Sequence, residues 1–170
     1  LSVTQLKGIS STGIASLASD QIAALTTTQL SSLSVMQMRG FAAEDITLLS
    51  SAQIGVLTPG QLAQLSVSAI GGFEPATLAA LTSTQWGGIS SIQLRAFSES
   101  QLGAIGTTQL SALTTTQVRG FTATAIGQFS LDQLGALATT HVASLSAAQA
   151  AGFSTTQIAS LGLEQFGALS

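Results

Sequence analysis

Leu57-Thr58-Pro59-Gly60-Gln61-Leu62-Ala63-Gln64 decides the fold, because the 170-residue chain repeats this eight-residue pattern from end to end without a gap or an insertion. The first position is never polar: Leu1, Ile9, Leu17, Leu25 and Leu33 lead into Phe41, Leu49 and Leu57, and the series runs on to Leu161 and Leu169. The sixth is equally apolar, from Leu6, Ile14 and Ile22 to Trp86 and beyond, weakening only at Ala150. Two apolar residues per octad therefore point at one core.

The second position is mostly Ser or Thr (Ser2, Thr26, Ser50, Thr58, Ser66, Thr82) and the fifth mostly Gln (Gln5, Gln29, Gln53, Gln61, Gln85). Ser/Thr-x-x-Gln is a capping box: the hydroxyl accepts from the backbone N–H of N3, and the Gln side chain reaches back to the N-cap N–H. Positions one and six become the N′ and N4 pair of a hydrophobic staple. Both prolines, Pro59 and Pro75, fall at position three. That is N1 in this register, where a missing N–H costs nothing.

Each octad thus predicts a helix of about a turn and a half. Helices that short are marginal alone, so neighbouring octads must hold them. A continuous helix fails, because its apolar stripe would rotate by roughly 80° per octad. A β-solenoid fails too, since positions five apart face opposite ways on a strand. The expected fold is all-α: one solenoid or superhelix of very short capped helices, one per octad, over residues 1–170. About 21 repeats form that single continuous array, read as a fragment of a longer array or as an engineered one.

A second period runs above the first. Gly stands at position eight as Gly8, Gly40, Gly72, Gly88, Gly120 and Gly152, each followed by Ile or Phe. Gly there suits a left-handed C′ site. The series Ile9, Phe41, Phe73, Phe97, Phe121 and Phe153 covers 18 octads in five intervals, a mean of 3.6 repeats per superhelical turn, with Phe129 outside the row. Lys7, Arg39, Arg95 and Arg119 each sit two residues before a member of that series, and Thr-rich octads lie about half a superturn away. On that side Thr27, Thr84, Thr108 and Thr139 form a candidate binding face, a lattice of hydroxyls.

Composition narrows the chemistry. Four cations against seven acids, a net charge of −3, leave no phosphate-neutralising patch, so no nucleic-acid partner is expected. Ser, Thr or Gln interrupts every octad, so no apolar run approaches the roughly 20 residues of a membrane span, and no membrane insertion is expected. Cysteine is absent, which removes disulfides, thiolate metal sites and cysteine nucleophiles. His141 stands at position five, where an imidazole would do the work of the capping amide. Glu44-Asp45 reads as a solvated helix start, since adjacent helical residues do not face each other. No Ser has a His and a carboxylate in a recognisable order, and Gly71-Gly72 and Gly87-Gly88 lack the Lys of a phosphate loop. Met38 and Trp86, at position six, read as core. No catalytic residue, metal site or cofactor is expected, and the chain does not read as an enzyme.

The octads Leu25-Thr26-Thr27-Thr28-Gln29-Leu30 and Leu113-Thr114-Thr115-Thr116-Gln117-Val118 resemble the L-[ST]-x-x-Q-[IL]-x-x tandem repeats of very large proteobacterial proteins often labelled haem utilisation or adhesion. The resemblance implies export and a stalk-like or adhesive region at the cell surface. A haem ligand set is missing here, with one His and no Tyr or Cys. The expected function is an elongated spacer or stalk segment whose partners are the neighbouring repeats of a parent chain. Two alternatives stand beside it: a Thr-rich face that binds a glycan, ice or a protein partner, and an engineered consensus repeat with no native function.

Overall fold

A computed structural model describes residues 1–169, and every full octad in it contributes one short helix. Twenty are α-helical and one, Gln37–Gly40, is a 3₁₀ helix, with no strand among the described residues. They fall into two compact units, Leu1–Ile89 and Ser90–Ser170.

The restart of each helix follows from its cap. Thr58 is extended (φ −75°, ψ 158°), its hydroxyl accepts from the Gln61 N–H, and Gln61 Oε1 accepts from the Thr58 N–H at 2.8 Å. The helix Pro59–Gln64 opens on proline, as does Pro75–Ala80. Where position two lacks a hydroxyl, as at Ala18, Gly106 and Ala138, only the returning half of the box survives. The 3₁₀ octad keeps its box as well, with the Ser34 N–H donating to Gln37 Oε1 at 2.8 Å.

In the first unit helices three octads apart pack together: Val3–Lys7 with Thr27–Ser32, Ser11–Ala15 with Gln37–Gly40, and Ala43–Thr47 with Val67–Ile70. The second unit repeats this in Ser91–Leu94 with Thr115–Val118 and Ala123–Gln128 with Ala147–Ala150. Within each unit the chain therefore returns over itself every three to four octads, as a solenoid does. Its core is the position-one and position-six set, including Met38 and Trp86, both fully buried. Each such side chain contributes about 1.5–3 kcal/mol, which a four- to six-residue helix cannot supply from its own backbone. The Trp86 indole N–H also finds a partner, the Leu78 carbonyl at 3.3 Å. All five phenylalanines of the 3.6-octad series are buried, and Phe129, outside the series, meets Phe121 edge to face at 5.0 Å.

The position-eight glycines are not left-handed caps, for no described residue has positive φ. What they supply is proximity. A Cβ on Gly40 would lie 2.2 Å from the Ser11 carbonyl oxygen; on Gly72, 2.1 Å from that of Ala43; on Gly120, 2.3 Å from that of Ser91. In each case the partner is the first residue of a helix one coil earlier, and only a hydrogen fits between the two backbones. The octads with these close glycines also carry helices of only four residues. They are the tight corners of the coil.

Candidate functional site

The most distinctive chemistry in the chain is a ladder of buried glutamines. Gln61 is 2% exposed, and its amide is fully engaged. Oε1 accepts from the Thr58 N–H, while Nε2 donates to the Leu30 carbonyl at 2.8 Å and the Leu33 carbonyl at 2.9 Å. These acceptors lie 31 and 28 residues earlier, so one side chain caps its own helix and clamps the junction between two helices of the previous coil.

The pattern recurs. Gln37 donates to Leu6 and Ile9, Gln133 to Leu102 and Ile105, Gln149 to Val118 and Phe121, and Gln157 to Ile126 and Phe129. The position-one carbonyl is the group that needs this donor. Its residue is extended between two helices, and no backbone N–H donates to Ile9, Leu33 or Ile105. A buried carbonyl left unpaired costs about 1–3 kcal/mol, so the amide removes a penalty as well as adding a bond. Among the described residues no buried side-chain nitrogen or oxygen lacks a partner.

His141 takes the same place. Its Nδ1 accepts from the Ala138 N–H at 3.2 Å, and its Nε2 lies 2.8 Å from the Leu113 carbonyl, 28 residues back. Those partners require the neutral tautomer with the proton on Nε2. Imidazole thus reproduces both halves of the glutamine's work, the cap as its position in the octad implied and the inter-coil bond beyond it. Asp45 reproduces only one: Oδ2 accepts from the Ala42 N–H at 2.8 Å, and a carboxylate has no donor to offer. With Glu44 it lies in the first turn of Ala43–Thr47, the helix start expected of the acidic pair.

Of the four threonines expected to form a face, Thr27, Thr84 and Thr108 are exposed and Thr139 is half-buried. None uses its hydroxyl in a hydrogen bond to the protein, unlike Thr58 or Thr114 at position two. Their registers differ: Thr27 and Thr139 open their helices, whereas Thr84 and Thr108 come second. In the first unit Thr27 and Thr84 stand seven octads apart, and no hydrogen bond joins them. Thr139 belongs instead to an open groove of about 660 Å³ with Leu137, Glu164 and Gln165.

Sequence reasoning gave glutamine one role and missed the second. The available signal was the absence of glutamate. Either residue completes a capping box, yet position five is Gln fifteen times and Glu never. Only a group that accepts and donates together can serve both the cap and the coil beneath.

The fold and the ladder define the class, an all-α tandem-repeat solenoid built from octads. Residues 87–123 match the model of a family described as the ALTTAQ repeat, the tract that contains Leu113-Thr114-Thr115-Thr116-Gln117. No curated protein and no solved structure matches the chain. No helix among the described residues is long and apolar enough to cross a membrane.

Proposed function

We propose that this array is a structural spacer within a large exported bacterial protein, presenting other regions of its parent at the cell surface. One observation carries the reading. The positions that define the octad are all engaged in holding the coil: one and six in the core, two and five in caps and the ladder, and eight as a glycine where coils touch most closely. The outer positions, three, four and seven, vary widely, from Ser, Thr, Ala and Gly to Val35, Met36, Ile92, Leu131, Asp132, Arg39 and Glu44. A repeat under selection for reach and cohesion shows that division of labour.

The threonine reading is the competitor, supported by the unengaged hydroxyls of Thr27, Thr84, Thr108 and Thr139. Antibody labelling of intact producing cells tests the first proposal: surface staining supports a spacer at the cell exterior, and staining only after permeabilisation overturns it. Ice-shaping and glycan-array assays of the chain, beside a variant with the four threonines changed to Lys, separate the two. Saturable binding lost in that variant would replace the spacer reading with the lattice.

A further inference from the structure

Of the four cations at position seven, Arg39 and Arg119 reach across to a later coil, while Lys7 and Arg95 do not. Arg39 reaches the residue 25 positions on, donating from Nε and Nη2 to Gln64 Oε1 at 2.8 and 2.6 Å. Arg119 reaches its own residue 25 positions on, donating from Nε to the Ser144 carbonyl at 3.1 Å. The residue 25 positions on from Arg95 is Gly120, which packs against the Ser91 backbone. The Arg95 guanidinium has no hydrogen-bond or ion-pair partner among the described residues.

Arg95 and Arg119 border a groove of about 350 Å³ whose lining also includes Ser91, Ile92, Thr116 and Gly120. A second groove of about 290 Å³ shares both arginines and adds the hydroxyl residues Thr122 and Ser146. No carboxylate lines either one. In a chain of net charge −3, two guanidinium groups converge on one concave surface without a counter-ion. Arg119 is held by its Nε bond, which leaves its four Nη hydrogens unclaimed, and Arg95 has all five of its donors available. Planar guanidinium forks match carboxylate and sulfate oxygens two at a time.

We propose that Arg95 and Arg119 form a binding site for an acidic polysaccharide, holding the carboxylate or sulfate of one sugar while neighbouring hydroxyls and Ile92 contact the rings. Ser91 and Thr116, whose hydroxyls make no hydrogen bond within the protein, supply groups that donate and accept, as sugar hydroxyls require. Ile92 is 69% exposed and offers an apolar patch to a pyranose face. Nucleic acid fits less well, because two cations release too few counterions to hold a polyanion against a negatively charged chain. The site depends on neither the threonine face nor the spacer reading.

The test is calorimetric titration of the full chain, at low and at physiological salt, with an oligogalacturonate hexasaccharide, a heparin-derived hexasaccharide and neutral maltohexaose. Saturable binding of at least one acidic sugar with Kd below about 1 mM is expected, and no heat from the neutral one. Arg95→Ala with Arg119→Ala should weaken it at least tenfold, and Arg95→Lys with Arg119→Lys severalfold, since Lys keeps charge and loses the fork. Arg39→Ala, whose guanidinium is already engaged with Gln64, should leave binding unchanged. The carboxylated and sulfated probes decide which oxyanion is preferred. Absence of binding, or binding that survives the double alanine variant with its fold intact by circular dichroism, overturns the proposal. So does equal affinity for a poly-aspartate hexapeptide or single-stranded DNA of matched charge.

Discussion

Glycines at the adjacent positions eight and seven of the octad mostly do opposite work, with Gly8 and Gly127 as the exceptions. Gly88 and Gly120 lie against the backbone of an earlier coil, with a Cβ at 2.2 Å from the Pro59 carbonyl oxygen and 2.3 Å from that of Ser91. Gly55, Gly103 and Gly135 face outward, with nothing within 4 Å of a Cβ. The first set permits coils to approach, while the second only loosens the last turn of a helix. The difference teaches that this repeat has two surfaces: an inter-coil face where substitution is forbidden by backbone atoms, and an outer face where it is nearly free.

The sharpest way to break that division is alanine at each kind of glycine. Gly120→Ala should cost about 3 kcal/mol or more, because carbonyl backbone cannot yield as a side chain can. Gly135→Ala should instead stabilise by about 0.5–1 kcal/mol, having only helix propensity to gain. Urea denaturation of both variants checks the opposed signs. Two losses of similar size would mean that position alone does not separate the surfaces.

A smaller effect belongs to His141, on the inter-coil face. His141→Ala should cost about 1–3 kcal/mol by leaving the Leu113 carbonyl unpaired, whereas His141→Gln should restore wild-type stability within about 0.5 kcal/mol. Thermal melts of the two variants read this directly. Equal loss in both would show that the imidazole is not standing in for the amide.

Caps come next, at the border between the faces. Ser130→Ala removes the hydroxyl that accepts from the Gln133 N–H at 3.1 Å and should cost about 1 kcal/mol, while Ala138→Ser should gain a comparable amount. Chemical denaturation of the pair, side by side, tests whether caps contribute independently of the ladder. The smallest effect is expected on the outer face: Thr27→Lys, Thr84→Lys and Thr108→Lys should each change stability by less than about 0.5 kcal/mol. A larger loss at any of them would place that threonine on the inter-coil face.

Most of the fold was legible because the octad carries local signals that need no partner. Pro59 and Pro75 mark N1, Ser or Thr with Gln marks the cap, and the one-and-six apolar pair marks the core, all of which the structure bears out. The position-eight glycines were legible as special yet misread as left-handed caps. Their reason lies 29 residues away, in a carbonyl that local pattern cannot bring near. The ladder was half legible for the same cause. Its capping half spans three residues, and its donor half spans 28 and 31. The groove at Arg95 and Arg119 required knowing that the octads of Ser91–Leu94 and Thr115–Val118 pack together, which spacing shows only once the coil length is known. The threonine series was visible as composition, but helix phase splits it between first and second helical positions.

The claim on which the rest depends is that a position-five side chain must accept and donate at once. Urea denaturation at pH 7 of Gln61→Glu and Gln133→Glu beside Gln5→Glu tests it most directly. Gln5 is exposed and makes only the cap, with the Ser2 N–H donating to its Oε1 at 2.8 Å, so glutamate there should change stability by less than about 0.5 kcal/mol. At Gln61 and Gln133 the same change sets a buried carboxylate against two carbonyl oxygens and should cost about 3 kcal/mol or more, the deficit shrinking as acid protonates the new group. Interior variants as stable as the wild type at neutral pH would contradict the ladder as the element that binds coil to coil.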